Sequence, residues 1–407
     1  MERILFTNRR TCLPERTETS EKVGMVNPDG TGLRHLDFGK FEIPNAIVWG
    51  RTSAFSDGRR WVMVSHHFLK PISKDTPFDK TVDVKLWIYD LVTDELTPVE
   101  PYGDYDCCYV SGTGIMPGEY QIYVGLNLTD NPDTLWVTMD LDGGNKEELI
   151  RPGLGFTHRP EFSPDGKQMA TEFYVKEGGS RVSVIDRDGK RVVHFPHNPG
   201  DFHFMPMWSP DGEWIHYVTY YHDIDPSHQR ADLFIARPDG SELHAITENR
   251  PYWLSAVYGG PDSYGSGSNV PRWSPDGSTV TLLRMQPDSQ EPWSPNPNPE
   301  YDDHFGLIFR PERARGGTDL CLLSPFTGDI RQLTDDGPGT WNFRPRWSKD
   351  GTKLAFCRAG VGEPSGLWVM NADGSDQRLL THGYADKSAD HPEWTGGERQ
   401  ASAVCTF

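Results

Sequence analysis

Cysteine is scarce in this chain, with 6 among 407 residues, which excludes a disulfide framework as the source of stability. Cys107 and Cys108 are adjacent and cannot readily pair with each other in an ordinary strand. Cys321 and Cys357 sit in apolar strand runs and read as buried thiols. No apolar run reaches the ~18 residues that a bilayer-spanning helix needs. The first residues, Met1 to Phe6, run directly into a strand-like segment with no apolar signal region or small-residue cleavage site, so the cytoplasm is the expected compartment. Positive charge is also in short supply. Lys and Arg total 40 against 59 Asp and Glu, a formal net charge of -19, which argues against nucleic acid and anionic membrane surfaces as partners. A local basic patch could still receive an anionic small ligand. There is no Gly-x-Ser-x-Gly elbow, P-loop, Cys-x-x-Cys or Gly-x-Gly-x-x-Gly after a strand. Nucleophilic catalysis of the prolyl-oligopeptidase type therefore finds no support, and no hydrolase domain is expected beside the fold described next.

Glycine (41) and proline (33) are plentiful, as suits many short strands joined by tight turns. They recur in register. Pro160-Glu161-Phe162-Ser163-Pro164-Asp165-Gly166, Pro206-Met207-Trp208-Ser209-Pro210-Asp211-Gly212, Pro271-Arg272-Trp273-Ser274-Pro275-Asp276-Gly277 and Pro345-Arg346-Trp347-Ser348-Lys349-Asp350-Gly351 share one pattern. Weaker copies lie at Ser53–Gly58, Gly114–Gly118 and Pro392–Gly397. Each copy leads into an alternating apolar strand, and a second turn follows, as at Asp186–Gly189, Arg237–Ser241 and Asn371–Ser375. The aromatic residue anchors an inner strand against its neighbour, and Asp-Gly supplies the positive-φ turn. Four strands per unit and seven units predict an all-β fold, a seven-bladed β-propeller of four-stranded antiparallel blades. Residues 1–407 form one domain in this reading. The N-terminal segment 1–44 carries orphan outer strands, Lys22–Val26 and Gly32–Leu36. Inner strands near the C-terminus, ending at Ala401–Phe407, are expected to share a closing blade with them. The Trp-Ser-Pro-Asp-Gly and Asn-x-Asp-Gly-Ser signatures closely resemble the TolB-type (WD40-like) propeller repeat over nearly the whole chain, a resemblance specific for fold rather than for function.

In such a blade the Pro-Asp-Gly turns share one face, and the long connections share the other. Long insertions are expected at 66–83, 221–231 and 285–318, the last read as a lid or a docking segment around Trp293. The histidines follow that face. His66, His67, His158, His197, His203, His222, His228, His304, His382 and His391 fall in the connections or atop inner strands, whereas His35, His194, His216 and His244 fall in strands. The residues before each inner-strand proline are expected to ring the mouth of the axial channel: His158 and Arg159, His203, Asn269, Asn342 and Arg344, Asp390 and His391, with Arg51 in the equivalent place of the first blade. A ring of His, Arg and Asn suits an anionic, hydrogen-bonding ligand such as a uronate, with Arg159, Arg51, Arg344, Asn342, Asn269, His66, His67 and His222 as candidate binding residues. The same groups could equally satisfy one another around channel water.

Imidazole and guanidinium without a nucleophile fit β-elimination from a uronic acid. That reaction needs a base for the proton beside the carboxylate, a cation to stabilise the resulting anion, and an acid for the leaving oxygen. Metal binding has no diagnostic spacing here. His66 with His67, His158 with His203 and His391, His222 with Asp223 and Asp225, or Asp302-Asp303-His304 could each hold a divalent ion such as Mn²⁺ or Ca²⁺, or be plain solvated loop. The order Ser180-Arg181 through Asp188-Gly189, then Asp201-Phe202-His203, resembles the propeller-fold oligogalacturonate lyases. That resemblance implies Arg181 as carboxylate clamp and His203 as base, with His158 beside it, on an anionic oligosaccharide. The segment Asp390-His391-Pro392 is similar to part of that family's metal-binding segment, which implies Asp390 and His391 as ligands. The chain departs from the family where Arg344 replaces a second metal histidine. Two other readings remain open: a non-catalytic propeller that binds a protein partner on the same face, and a glycoside hydrolase using Asp223, Asp302 and Asp303.

Overall fold

The computed structural model describes residues 2–10, 20–36, 46–49, 59–68, 82–99, 107–117, 121–128, 134–150, 160–176, 178–189, 191–221, 230–260, 265–295, 307–381 and 388–395. Apart from one 3-10 turn, Pro311–Arg313, the regular elements among these residues are β-strands. Three four-stranded sheets are built from consecutive strands, within residues 46–99, 107–150 and 340–379. A twelve-stranded sheet consists of three antiparallel runs, 161–194, 201–245 and 252–332. The first two runs meet through one parallel pair, Ser180 with Phe202. The next two meet through Arg230 with Trp253 and Ala231 with Tyr252. A further four-stranded sheet joins both ends of the described chain: Ile4–Arg10, Ser20–Val26 and Arg34–His35 line up beside Ser388–Trp394. In this seam sheet three strands come from the N-terminal side, and the expected strand at 401–407 lies outside the described residues.

The repeat acts at two levels. Within a turn, the Ser163 hydroxyl donates to Asp165 Oδ1 at 2.7 Å, and the same oxygen accepts the Lys167 amide. Ser209 with Asp211, Ser274 with Asp276 and Ser348 with Asp350 repeat the bond at 2.5, 2.5 and 2.7 Å. The glycine that follows each aspartate has φ between 71° and 76°, a conformation costly to any residue with a Cβ. Between units, three indoles donate backwards. Trp208 Nε1 bonds the Glu161 carbonyl at 2.9 Å, Trp273 Nε1 that of Met207 at 3.2 Å, and Trp394 Nε1 that of Arg346 at 3.0 Å. Each acceptor stands one residue before the preceding unit's own aromatic. The turn prolines stack the same way: a Cβ at Gly212 would stand 3.4 Å from Pro164, and one at Gly277 would stand 3.5 Å from Pro210.

Apolar clusters lie between successive units. Leu5 and Met25 meet Trp61 and Trp87. Val62 and Leu86 meet Ile122 and Val124, and Tyr123 and Trp136 meet Phe162 and Met169. Val182 and Val184 meet Trp208 and Tyr217. Leu233, Trp253, Leu282 and Phe356 share one cluster, and Ile4 and Phe6 meet Leu367 and Val369. Cys321 and Cys357 are fully buried, as their surroundings in the sequence imply.

Two expected loops are shorter than the sequence suggests. His66 and His67 belong to the strand Arg60–Phe68, opposite Val84 and Asp83. In the 285–318 connection, Trp293–Pro295 pairs with Leu307–Phe309. Trp293 is buried rather than presented, its indole donating to the Gly259 carbonyl at 3.1 Å and its ring lying 5.1 Å from that of Phe309.

His216 is wholly buried, 5.5 Å from the Trp273 ring. Burial, reinforced by the charge of Arg272, pushes its pKa down to about 3. The unfolded chain therefore binds a proton below about pH 6.5 that the folded chain refuses. Stability should fall as pH drops from there towards 3, and His216→Phe should flatten that part of the pH–stability curve in denaturant titrations. Trp273→Phe, which removes one backward hydrogen bond, should cost about 1 kcal/mol in the same measurement.

Candidate functional site

Three inner strands bulge at the residue before their proline. Met205, Arg344 and His391 have φ of 55°, 52° and 48°, and the pairing register shifts between Phe204 and Met207 and between Phe343 and Arg346. Such a bulge re-aims a side chain at a cost of roughly 1–3 kcal/mol of backbone strain.

At two of these bulges the re-aimed groups meet. Arg344 (1% exposed) and Asp390 (0%) form a buried ion pair through Arg344 Nε and Asp390 Oδ1. Asp390 Oδ1 also accepts the His391 amide at 2.8 Å. Its Oδ2 accepts the Tyr258 hydroxyl at 2.5 Å and lies 3.1 Å from His391 Nδ1. Arg344 Nη1 donates to the Ser268 carbonyl at 3.1 Å, and its amide approaches Asn269 Oδ1 at 3.4 Å. Tyr258 and Ser268 belong to an inserted hairpin, Ser255–Tyr258 with Gly265–Ser268, which crosses to the seam sheet. Tyr258 also stacks on Phe343 at 4.4 Å. One turn further down, Arg346 Nε pairs with Glu393 Oε1 at 2.6 Å.

Asn269 and Asn342 are fully buried and engaged, so neither presents a free amide at a channel mouth. Asn269 Nδ2 donates to the Trp253 carbonyl at 3.0 Å. Asn342 Nδ2 donates to the Thr318 carbonyl at 2.8 Å, and its Oδ1 accepts Arg358 Nε at 2.8 Å. Asp390 and His391 do not fit a divalent cation. Both carboxylate oxygens are already engaged, and the Arg344 guanidinium occupies the place of the positive charge. Among the described residues no group of three His, Cys, Asp or Glu side chains could hold a metal ion.

His203 stands apart from this cluster. It is 5% exposed in the strand Asp201–Trp208, opposite Thr219. Ser180 fixes its backbone from both sides: the Ser180 hydroxyl donates to the His203 carbonyl at 2.9 Å and accepts its amide at 3.0 Å. Its ring lies 5.1 Å from that of Tyr217 and 6.2 Å from that of His197. Burial first, then the neighbouring His197, pushes its pKa down to about 4. At neutral pH the ring is therefore an uncharged base or ligand.

Arg181 does not join it. Arg181, Ser183 and Ile185 share one face of their strand, and Ile185 packs towards Tyr123 and Trp136. Val182 and Val184 face the other way, into the cluster that holds Tyr217. The arginine and the histidine thus lie on opposite faces of Ser180–Asp186. His158, Arg159, Arg51 and His222 lie outside the described residues. For His66 and His67 only the backbone pairings, with Ile47 and Ala46 on one side and Val84 and Asp83 on the other, are described.

Sequence reasoning missed Tyr258, Tyr217 and Thr219. The first sits in a Gly/Ser-rich stretch that reads as loop. The other two had a visible signal: hydroxyl side chains at 217, 219 and 221 share one face of their strand.

Removing one partner of the buried ion pair should be severe. Arg344→Met is expected to cost about 3–5 kcal/mol because it strands the Asp390 charge. Tyr258→Phe should cost about 1–3 kcal/mol. Chemical denaturation of both variants checks the order.

No family model matches the chain. The uncharacterized peptidase YuxL of Bacillus subtilis is 29% identical over 111 residues, 27% of this chain and 13% of that protein. The uncharacterized protein Atu1656 of Agrobacterium fabrum is 26% identical over 151 residues, 37% of this chain and 47% of that protein. The matches thus span less than half the length of either relative. Among solved structures, a prolyl endopeptidase superposes with a TM-score of 0.57 at 12% identity, covering 92% of this chain and 47% of its own. An oligogalacturonate lyase in complex with manganese superposes with a TM-score of 0.53 at 13% identity, covering 93% and 84%. TolB from Acinetobacter baumannii gives a TM-score of 0.46 at 14% identity, covering 95% and 82%. At such identities the likeness to the first two speaks for fold alone, and that fold is the β-propeller.

Proposed function

We propose that this protein is a lyase that cleaves uronic-acid-containing oligosaccharides by β-elimination, with His203 as the base. The observation that carries the reading is the state of His203: a buried imidazole, uncharged at neutral pH, anchored through its backbone by Ser180. In the reaction His203 takes the proton beside the sugar carboxylate. The released electron pair forms the carbon–carbon double bond as the β carbon–oxygen bond breaks, and the leaving oxygen is protonated. The anion that develops on the carboxylate side calls for a guanidinium. Because Arg181 projects from the far face of its strand, we assign the clamp to Arg159. It precedes Pro160 as Met205 precedes Pro206. No step is assigned to a divalent cation. We also infer that the sheets close as a ring of seven blades, since apolar clusters link each unit to the next and the seam sheet joins the first strands to the last.

Incubation with a panel of uronic-acid oligosaccharides, followed by the ultraviolet absorbance of the unsaturated product, tests the reading. His203→Gln should lower kcat by ~10²–10⁴-fold. Arg159→Lys should lower kcat/KM on the order of tenfold, while Arg181→Lys leaves it unchanged. The acid limb of kcat/KM should fall with a pKa near 4, well below the ~6.5 of an ordinary histidine. No unsaturated product from any member of the panel would overturn the lyase and leave a propeller that binds without catalysis.

A further inference from the structure

Two residues of the turn face break the repeat, and they meet. In four inner turns the second residue after the glycine donates its amide to the turn serine. Gln168, Thr279 and Lys353 are polar at that place, but the fourth is Trp214. Outer turns carry an exposed aspartate at their tip, as at Asp29, Asp188, Asp239 and Asp373. The turn between Thr318–Leu323 and Ile330–Gln332 is longer. There the Gly328 amide bonds the Ser324 carbonyl, four places back, where Gly240 bonds Arg237, three back. That turn carries Phe326.

The Phe326 ring reaches from its own unit to the preceding one. It lies 5.6 Å from the Trp214 ring, edge-on at 60°, and 6.4 Å from the Trp273 ring at 29°. Arg237 caps the Trp214 ring with its guanidinium carbon 3.9 Å from the ring centre. Trp273 is buried and Trp214 half-buried, yet Phe326 stays 54% exposed. A ring that served packing alone would be covered. This one is steadied by two others and keeps about half its surface in water, the arrangement of an aromatic anchor at an interface.

The turns that bear these rings are acidic. Asp211, Asp276 and Asp329 are all exposed. Hydrogen bonds from Ser274 and Ser278 hold the Asp276 carboxyl below the usual range, so it is ionised at neutral pH. The charge of Arg237 is met locally by Glu213 at 3.2 Å and Glu242 at 3.1 Å. Arg331 turns to the next unit, where it donates to the Ala372 carbonyl at 2.9 Å. An aromatic face bordered by carboxylates complements a guanidinium, which stacks on the ring with its plane and donates to carboxylates with its edge. The net charge of -19 draws a cationic partner towards the molecule, and the ring gives it a place to settle.

We propose that the patch formed by Phe326 and Trp214 is a docking surface for an arginine-bearing segment of a partner protein. It lies on the turn face, away from the long connections, and stands independently of the lyase reading.

Fluorescence anisotropy of labelled hexa-arginine and hexalysine peptides, titrated with the intact protein, tests the proposal. Hexa-arginine should bind more tightly than hexalysine, because an ammonium cannot stack as a planar guanidinium does. Phe326→Ser should weaken hexa-arginine binding at least about fivefold and abolish the preference. Val92→Ser, in the turn Asp90–Asp94 of another unit where Val92 is 73% exposed, should change neither. Melting curves verify that both variants are folded. Hexa-arginine that fails to bind overturns the docking surface, as does equal affinity for the two peptides. Unchanged affinity in Phe326→Ser, or an equal loss in Val92→Ser, also overturns it and reduces any binding to the overall acidity of the molecule. Product formation from uronates is unaffected by any of these results, so the lyase stands or falls separately.

Discussion

A four-stranded sheet with apolar side chains on both faces has nothing of its own to bury them against. That constraint governs the molecule. Each unit is completed by the next, and the tryptophan that donates to the preceding unit's carbonyl fixes the distance and tilt at which they meet. Once that spacing is set, the turn proline of one unit falls against the turn glycine of its neighbour. Residues on the inner strands are then held close to residues of the neighbouring unit, dozens of positions away. Arg346 with Glu393 and Arg344 with Asp390 exist only because neighbouring inner strands are locked at this spacing.

The two polar regions answer this crowding in opposite ways. Around Asp390 every oxygen is met, from four directions, by Arg344, Tyr258 and the backbone amide and ring Nδ1 of His391. Such a cluster holds position and resists insertion of a ligand. Around His203 the backbone is equally fixed, but ring nitrogens and hydroxyls are left unmet. Rigid support with open valences is what a binding or catalytic group requires.

The fold was legible because its determinants are local and periodic: Ser-Pro-Asp-Gly names its own turn, and the aromatic before it names its packing. The site was legible only in part. His203 could be picked out, but its relation to Arg181 turns on strand parity, and a single step along Ser180–Asp186 moves a side chain to the other face. Asn269, Asn342, Asp390 and His391 look like mouth residues in a linear reading. Their partners, Thr318, Arg358 and Tyr258, come from other strands and from an inserted hairpin that no repeat announces.

The seam sheet has a consequence for how the molecule comes into being. Its strand Ile4–Arg10 is made well before the strand that completes it, Ser388–Trp394. Arg3 and Thr395, bonded across that seam, are 392 residues apart in the chain. Loop-closure entropy of that order makes the pairing a late event. During synthesis the first three strands must therefore wait with an unpaired edge, exposed to wrong partners. Chaperone dependence and misassembly should concentrate at the waiting seam strands, Ile4–Arg10, Ser20–Val26 and Arg34–His35.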